Sequence, residues 1–222
     1  MSSSTSLRKR SSASERSRTN DPDRTKADIL AVATEEFAAY GLSGARVDAI
    51  AERTRTSKRM IYYYFGGKDG LYLAVLEKAY ADIRAIESAL ELDLLDPVEA
   101  LRRVIDQTFE NDDSHTDFVR LVTIENINQG KHLAEASSIR EINLRIIQII
   151  EAILERGRAS GLFRSDLEPV DVHMMISAFC FFRVANRHTF GAIHRVDLSE
   201  PGRRQKHKQM IADAVIGLLQ QK

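Results

Sequence analysis

Residues 46–68 read RVDAIAERTRTSKRMIYYYFGGK, and the side chains in this stretch suit contact with a polyanion. Lys58 and Arg59 are followed about one turn later by Tyr62 and Tyr63, and Lys68 comes next. Lys and Arg neutralise phosphates, tyrosine hydroxyls hydrogen-bond to them, and an Arg pairs bidentately with a guanine edge. Thr56 and Ser57 add hydroxyls just ahead, and Arg46 at the far end reaches a phosphate or base or stays solvated. Other chemistry has little to build on. The six histidines lack the short pairings of a zinc site, and there is no glycine-rich phosphate loop or catalytic Ser, His and Asp spacing. Neither a metal, nor a cofactor, nor enzyme activity is expected.

Short helices must position these residues. Val47, Ile50 and Ala51 recur at helical spacing, with Asp48, Glu52 and Arg53 on the wet side. Ser57 is placed to cap a second helix, on which Ile61 and Phe65, four apart, point into the core. On that helix three successive tyrosines span about 200°, so at least one turns inward. A helix-turn-helix pair buries too little to stand alone. A preceding helix over 22–40 completes it: Asp21 and Pro22 start it, Ile29, Leu30, Ala33 and Phe37 form its apolar face, and Gly41 stops it.

With 43% hydrophobic and only 7% aromatic residues, an all-α protein is expected. Net charge is zero, but residues 1–70 hold thirteen Lys and Arg against nine Asp and Glu, so the basic excess lies N-terminally. Residues 1–20 read as a disordered, basic, Ser-rich tail that adds phosphate contacts. The lone Cys180 permits no disulfide within the chain, and the uncharged run 172–182 is short of the roughly 20 residues of a membrane span. With no secretory signal, a cytoplasmic, nucleoid-associated protein without membrane contact is expected.

Further helices are predicted from residue 69 to about 90 and over 97–111, 115–128, 139–160, 169–189 and 202–220. The 169–189 helix is apolar nearly all round and needs cover on most sides. With 202–220 it predicts a four-helix contact between two copies of the chain.

The order Ile29-Leu30, Phe37, Tyr40-Gly41, Val47, Ile50-Ala51, Ser57-Lys58, Ile61 to Phe65 and Lys68-Asp69 with Leu71 resembles the DNA-binding domain of TetR-family transcriptional regulators. The resemblance implies a three-helix DNA-binding domain over 21–68 and a helical effector-binding and dimerisation domain over 69–222. It implies a homodimer on a palindromic double-stranded operator, a repressor released by a small-molecule effector. The alternative is a TetR-like DNA-binding protein of nucleoid-associated or structural role that has no small ligand. It also adds Tyr64 to the DNA-facing set and makes Lys68 a backbone contact. Two positions depart from the family's pattern: Arg55 stands in the turn where glycine is common, and Arg46 where a hydroxyl cap is common. For the effector, the sequence supplies Phe118, Val122, Glu125, His173, Met174, Ser177, Phe181 and Arg183 as cavity candidates. A buried Arg183 needs a carboxylate, for which Glu125 is the expected partner.

Overall fold

The computed structural model describes residues 21–220, so the basic tail lies outside the described residues. Among these residues all regular structure is helical: α1 (Pro22–Gly44), α2 (Val47–Arg53), α3 (Lys58–Phe65), α4 (Lys68–Ser88), α5 (Pro97–Ser114), α6 (Thr116–Ile127), α7 (Lys131–Glu135), α8 (Ser137–Ala159), α9 (Pro169–Ala185), α10 (Arg187–His194) and α11 (Pro201–Gln220).

The starts follow local chemistry. Asp21 accepts from the Asp23 and Arg24 amides ahead of Pro22, and Asp96 does the same for Val98 and Glu99 ahead of Pro97. These caps satisfy amides that have no intrahelical partner. Regular geometry in α1 breaks at Gly41, which takes φ 69°. Gly41 supplies the expected stop.

Two apolar cores form. The first joins Ile29, Ala33 and Phe37 of α1 to Val47, Ile50, Ile61 and the α4 residues Leu71, Tyr72, Val75 and Leu76, and it also takes in Leu121 of α6 and Ile139 of α8. The second is built from α5, α8, α9 and α11 around Leu101, Ile105, Phe109, Ile150, Ile176 and Val215. Several polar side chains are buried as well. They include Arg84 and Glu87 on α4, Asn111 and Asp112 on α5, and Arg183 on α9.

The expected 169–189 helix is divided. Asn186 leaves helical geometry at φ −103°, ψ 5°, ending α9, and α10 begins there. No proline or glycine marks the break, so periodicity runs through it. α9 buries one face and exposes another, with Met174 61%, Phe182 52% and Phe179 46% accessible.

Candidate nucleic-acid interface

α3 devotes a single residue, Ile61, to full burial. That anchor leaves Lys58, Arg59, Tyr62 and Tyr63 free to face outward. Ser57 Oγ accepts the Met60 amide at 3.2 Å, fixing the helix start as expected. Tyr63 is 79% and Tyr62 40% exposed, and Arg59 and Lys58 are exposed beside them. Tyr64 is the tyrosine that turns inward, packing half-buried on the first core with Lys26 Nζ 5.5 Å from its ring centre. Phe65, expected in the core, sits half-buried at its rim, because α3 ends there and Gly66 turns the chain away in the left-handed region.

In the free protein Lys58 pairs with Asp48 of α2 at 3.2 Å and lies 5.9 Å from the Tyr62 ring centre. An exposed pair of this kind contributes at most about 1 kcal/mol, so a phosphate displaces it at small cost. Lys68 donates to the Ser43 carbonyl at 3.2 Å, tying the start of α4 to the end of α1. Thr56 is half-buried in the turn.

Both departures from the family pattern have a structural explanation. Arg46 offers no side-chain cap; its amide donates to Glu36 Oε1 of α1 at 3.0 Å, and its own side chain stays exposed. A carboxylate from a neighbouring helix therefore meets an amide at the α2 entrance. Arg55 takes φ 53°, the conformation a glycine would adopt. The Thr56 amide donates to Ala51 O at 3.0 Å and the Arg55 amide to Glu52 O at 3.2 Å, the paired bonds of a Schellman helix end. The turn geometry is kept and the residue is strained. Arg55→Gly is expected to raise stability by up to about 1 kcal/mol, seen as a melting temperature higher by roughly 2–4 °C. An unchanged or lower melting temperature would count against strain at this turn.

The effector candidates fall into separate environments. Glu125, 1% exposed, accepts from the Tyr72 hydroxyl at 3.2 Å, from the His132 amide at 2.7 Å, and lies 3.1 Å from His132 Nδ1. It does not pair with Arg183. Arg183 instead binds Asp113 on α5 and the Leu198 carbonyl, with its guanidinium 4.1 Å from the Phe109 ring centre. The sequence signal is the same for either carboxylate; only the packing of α5 on α9 chooses Asp113. Burial works against ionised Asp113, but hydrogen bonds from Arg204 and Arg183 hold its carboxyl below the ordinary value. Phe118 packs edge-on to Tyr80 at 5.2 Å, and Val122 is half-buried. His173, Ser177 and Phe181 are half-buried along α9, whereas Met174 points to solvent. Burial, then the nearby Arg84, lowers the His173 pKa to about 4, so its ring is neutral at physiological pH.

Sequence reasoning passed over Arg84, Glu87 and Asp112. At i, i+3 spacing on α4 nothing in the sequence marks Arg84 and Glu87 for burial, yet they are 8% and 3% exposed. Burial pushes the Glu87 carboxyl up to about 7 despite Arg84.

A capped helix-turn-helix with a cationic, phenolic outer row, set on a larger helical domain, defines a DNA-binding transcriptional regulator. Residues 29–75 match the family model for bacterial regulatory proteins of the tetR family, and residues 97–215 match the tetracyclin repressor-like C-terminal domain. The chain belongs to the TetR family. It is 34% identical over 199 residues to the HTH-type transcriptional repressor NicS of Pseudomonas putida, covering 90% of this chain and 94% of that protein. With the repressor SCO4008 of Streptomyces coelicolor it shares 33% identity over 138 residues, covering 62% and 68% of the two chains. Among solved structures, a tetR-family regulatory protein from Rhodococcus RHA1 superposes with TM-score 0.69 at 17% identity, covering 88% of this chain and 97% of that one. FadR of Bacillus subtilis, solved in complex with stearoyl-CoA, gives 0.64 at 18%, covering 87% and 98%. These likenesses mark a regulator of transcription and not an enzyme. Among the described residues no helix is long and apolar enough to cross a membrane.

Proposed function

We propose that this protein is a homodimeric repressor that binds a palindromic operator in the cytoplasm and is released by a small-molecule effector. Residues 21–68 serve as the reading unit and 69–222 as the effector-binding and dimerisation domain. The observation that carries the reading is α3, with Ile61 buried and Lys58, Arg59, Tyr62 and Tyr63 all outward. Arg46, Thr56, Ser57 and Lys68 form the rest of the proposed DNA surface, and Tyr64, packed inward on the first core, drops out of the set the resemblance implies. Two copies of α3 read two half-sites when their spacing matches the groove repeat of about 34–36 Å. An effector that binds better to a differently spaced state lowers operator affinity by its differential binding. The close likeness to NicS, a named repressor, supports the direction of regulation. The FadR complex supports only the capacity of this fold to hold a small molecule.

Dimerisation is assigned to α9 and α11. Phe179 and Phe182 of α9, with Met210 of α11, line an apolar groove of about 170 Å³ on the surface of the single chain.

Arg59→Ala and Tyr63→Phe are each expected to weaken operator binding about tenfold, with dimer mass and melting temperature unchanged. Gel-shift titration at fixed salt, on operators found by genome-wide mapping of bound sites, reads the effect. Wild-type affinity in both variants removes α3 from the interface.

A further inference from the structure

Where α6 packs against α1 and α9, the surface opens into a groove of about 600 Å³. Cavities of about 300–1,000 Å³ hold small organic ligands. The groove has an apolar floor drawn from all three helices: Ala38 of α1, Val119 of α6 and Val184 of α9 line it and are 6%, 2% and 5% exposed. Val119 and Val184 belong to neither of the two cores, so this floor is a separate buried patch.

Charge selects the class of occupant. Arg120 of α6 and Arg187 and His188 of α10 line the groove, and no Asp or Glu is among its lining residues. Arg187 Nε donates to His188 Nε2 at 3.3 Å, which puts the imidazole proton on Nδ1. The two Nη groups of Arg187 have no partner among the described residues. Arg120 comes no closer than 4.0 Å to a carboxylate, that of Asp117, and both side chains are largely exposed. A contact of that length in water contributes little and yields to a better acceptor. Guanidinium groups pair bidentately with planar carboxylates, so this rim favours an anion and repels a cation. The cavity of about 480 Å³ between α8 and the α4–α5 loop also holds two arginines, but there Asp93 lines the wall and Arg156 is bonded to the Leu92, Asp93 and Leu95 carbonyls.

We infer that the groove among α1, α6 and α9 seats a small organic carboxylate, its charged end held by Arg120 and Arg187 and its apolar body resting on Ala38, Val119 and Val184. This seat gives the effector proposed above a place and a chemical class, and so rests on that reading. Tyr40 and Gly41 also line the groove, which places it against the stretch where α1 leaves helical geometry. A ligand there touches the reading unit through α1 and the helices assigned to dimerisation through α9. It therefore binds differently to states in which the two are set differently, which is what release from an operator requires.

The test uses the full chain and thermal-shift titration with benzoate, phenylacetate and hexanoate at constant ionic strength, each beside its primary amide and the amine of matched skeleton. At least one carboxylate is expected to give a saturable rise in melting temperature that its amide and amine do not. Arg120→Gln and Arg187→Gln are each expected to weaken that carboxylate at least about tenfold. Arg145→Gln removes an exposed arginine from the other cavity and is expected to leave its affinity at the wild-type level. A panel with no stabilising carboxylate, equal stabilisation by the amides, the amines or inorganic phosphate, or wild-type binding by either groove variant overturns the inference. Operator binding is measured in parallel by gel shift. Release by an amine or a neutral compound, with no carboxylate bound, sinks the carboxylate seat alone. A carboxylate held through Arg120 and Arg187, in a protein that binds no operator, sinks the repressor reading and leaves the seat standing.

Discussion

Glu125→Ala is expected to destabilise the protein by about 3–5 kcal/mol, lowering the melting temperature by roughly 10 °C. The carboxylate is 1% exposed and serves three groups from two other helices: the Tyr72 hydroxyl of α4, and the backbone amide and ring of His132 in α7. Removing it leaves buried donors unmet, each costing about 1–3 kcal/mol. It also loosens a stacked column in which Tyr72 lies edge-on to Phe37 at 5.1 Å and to His132 at 5.1 Å. Tyr72 is fully buried, and burial first, then Glu125, raises its pKa, so the hydroxyl remains a donor throughout the physiological range. Glu125→Gln keeps shape and one acceptor and is expected to cost about half as much. Urea denaturation of both variants measures this; a loss below about 1 kcal/mol for the alanine would show that solvent replaces the carboxylate freely.

Phe182→Asp is expected to yield a folded monomer with operator affinity reduced by about 10²–10⁴. The side chain is 52% exposed in the single chain, next to Phe179 at 46% and across the groove from Met210 at 55%. Large apolar groups clustered on one face of a monomer mark an association surface. An ionised carboxylate at its centre would be desolvated on pairing without a partner, which costs several kcal/mol. Because Phe182 is not part of the second core, folding of the chain itself is little affected. Sedimentation gives the mass and gel shift the affinity; a dimer of wild-type strength would move the seam elsewhere.

Much of the reading unit was legible because its determinants are local. Asp21, Pro22, Gly41 and Ser57 announce helix ends within a few residues, and Ile29, Ala33 and Phe37 declare a face by spacing alone. The C-terminal helical domain was less legible, because its polar partners are chosen by packing. Arg183 meets a carboxylate 70 residues away, and Glu125 a phenol 53 residues away. Nothing in the sequence near Asn186 signals that α9 stops there, and nothing around Asp112 signals that it will be buried without a donor.

The corner between α3 and α4 is closely packed. A Cβ on Gly70 would lie 1.9 Å from the Phe65 carbonyl oxygen, so the first turn of α4 rests directly on the last turn of α3. α3 thereby abuts an arm of 21 residues, about 31 Å long. Under the proposed mechanism, a tilt of about 5° applied at Arg84, about 24 Å along α4 from Lys68, would be delivered at α3 as a shift of about 2 Å. Any side chain larger than hydrogen at Gly70 would pry that joint open, and under the proposed mechanism a motion of α4 would then arrive at the DNA weakened.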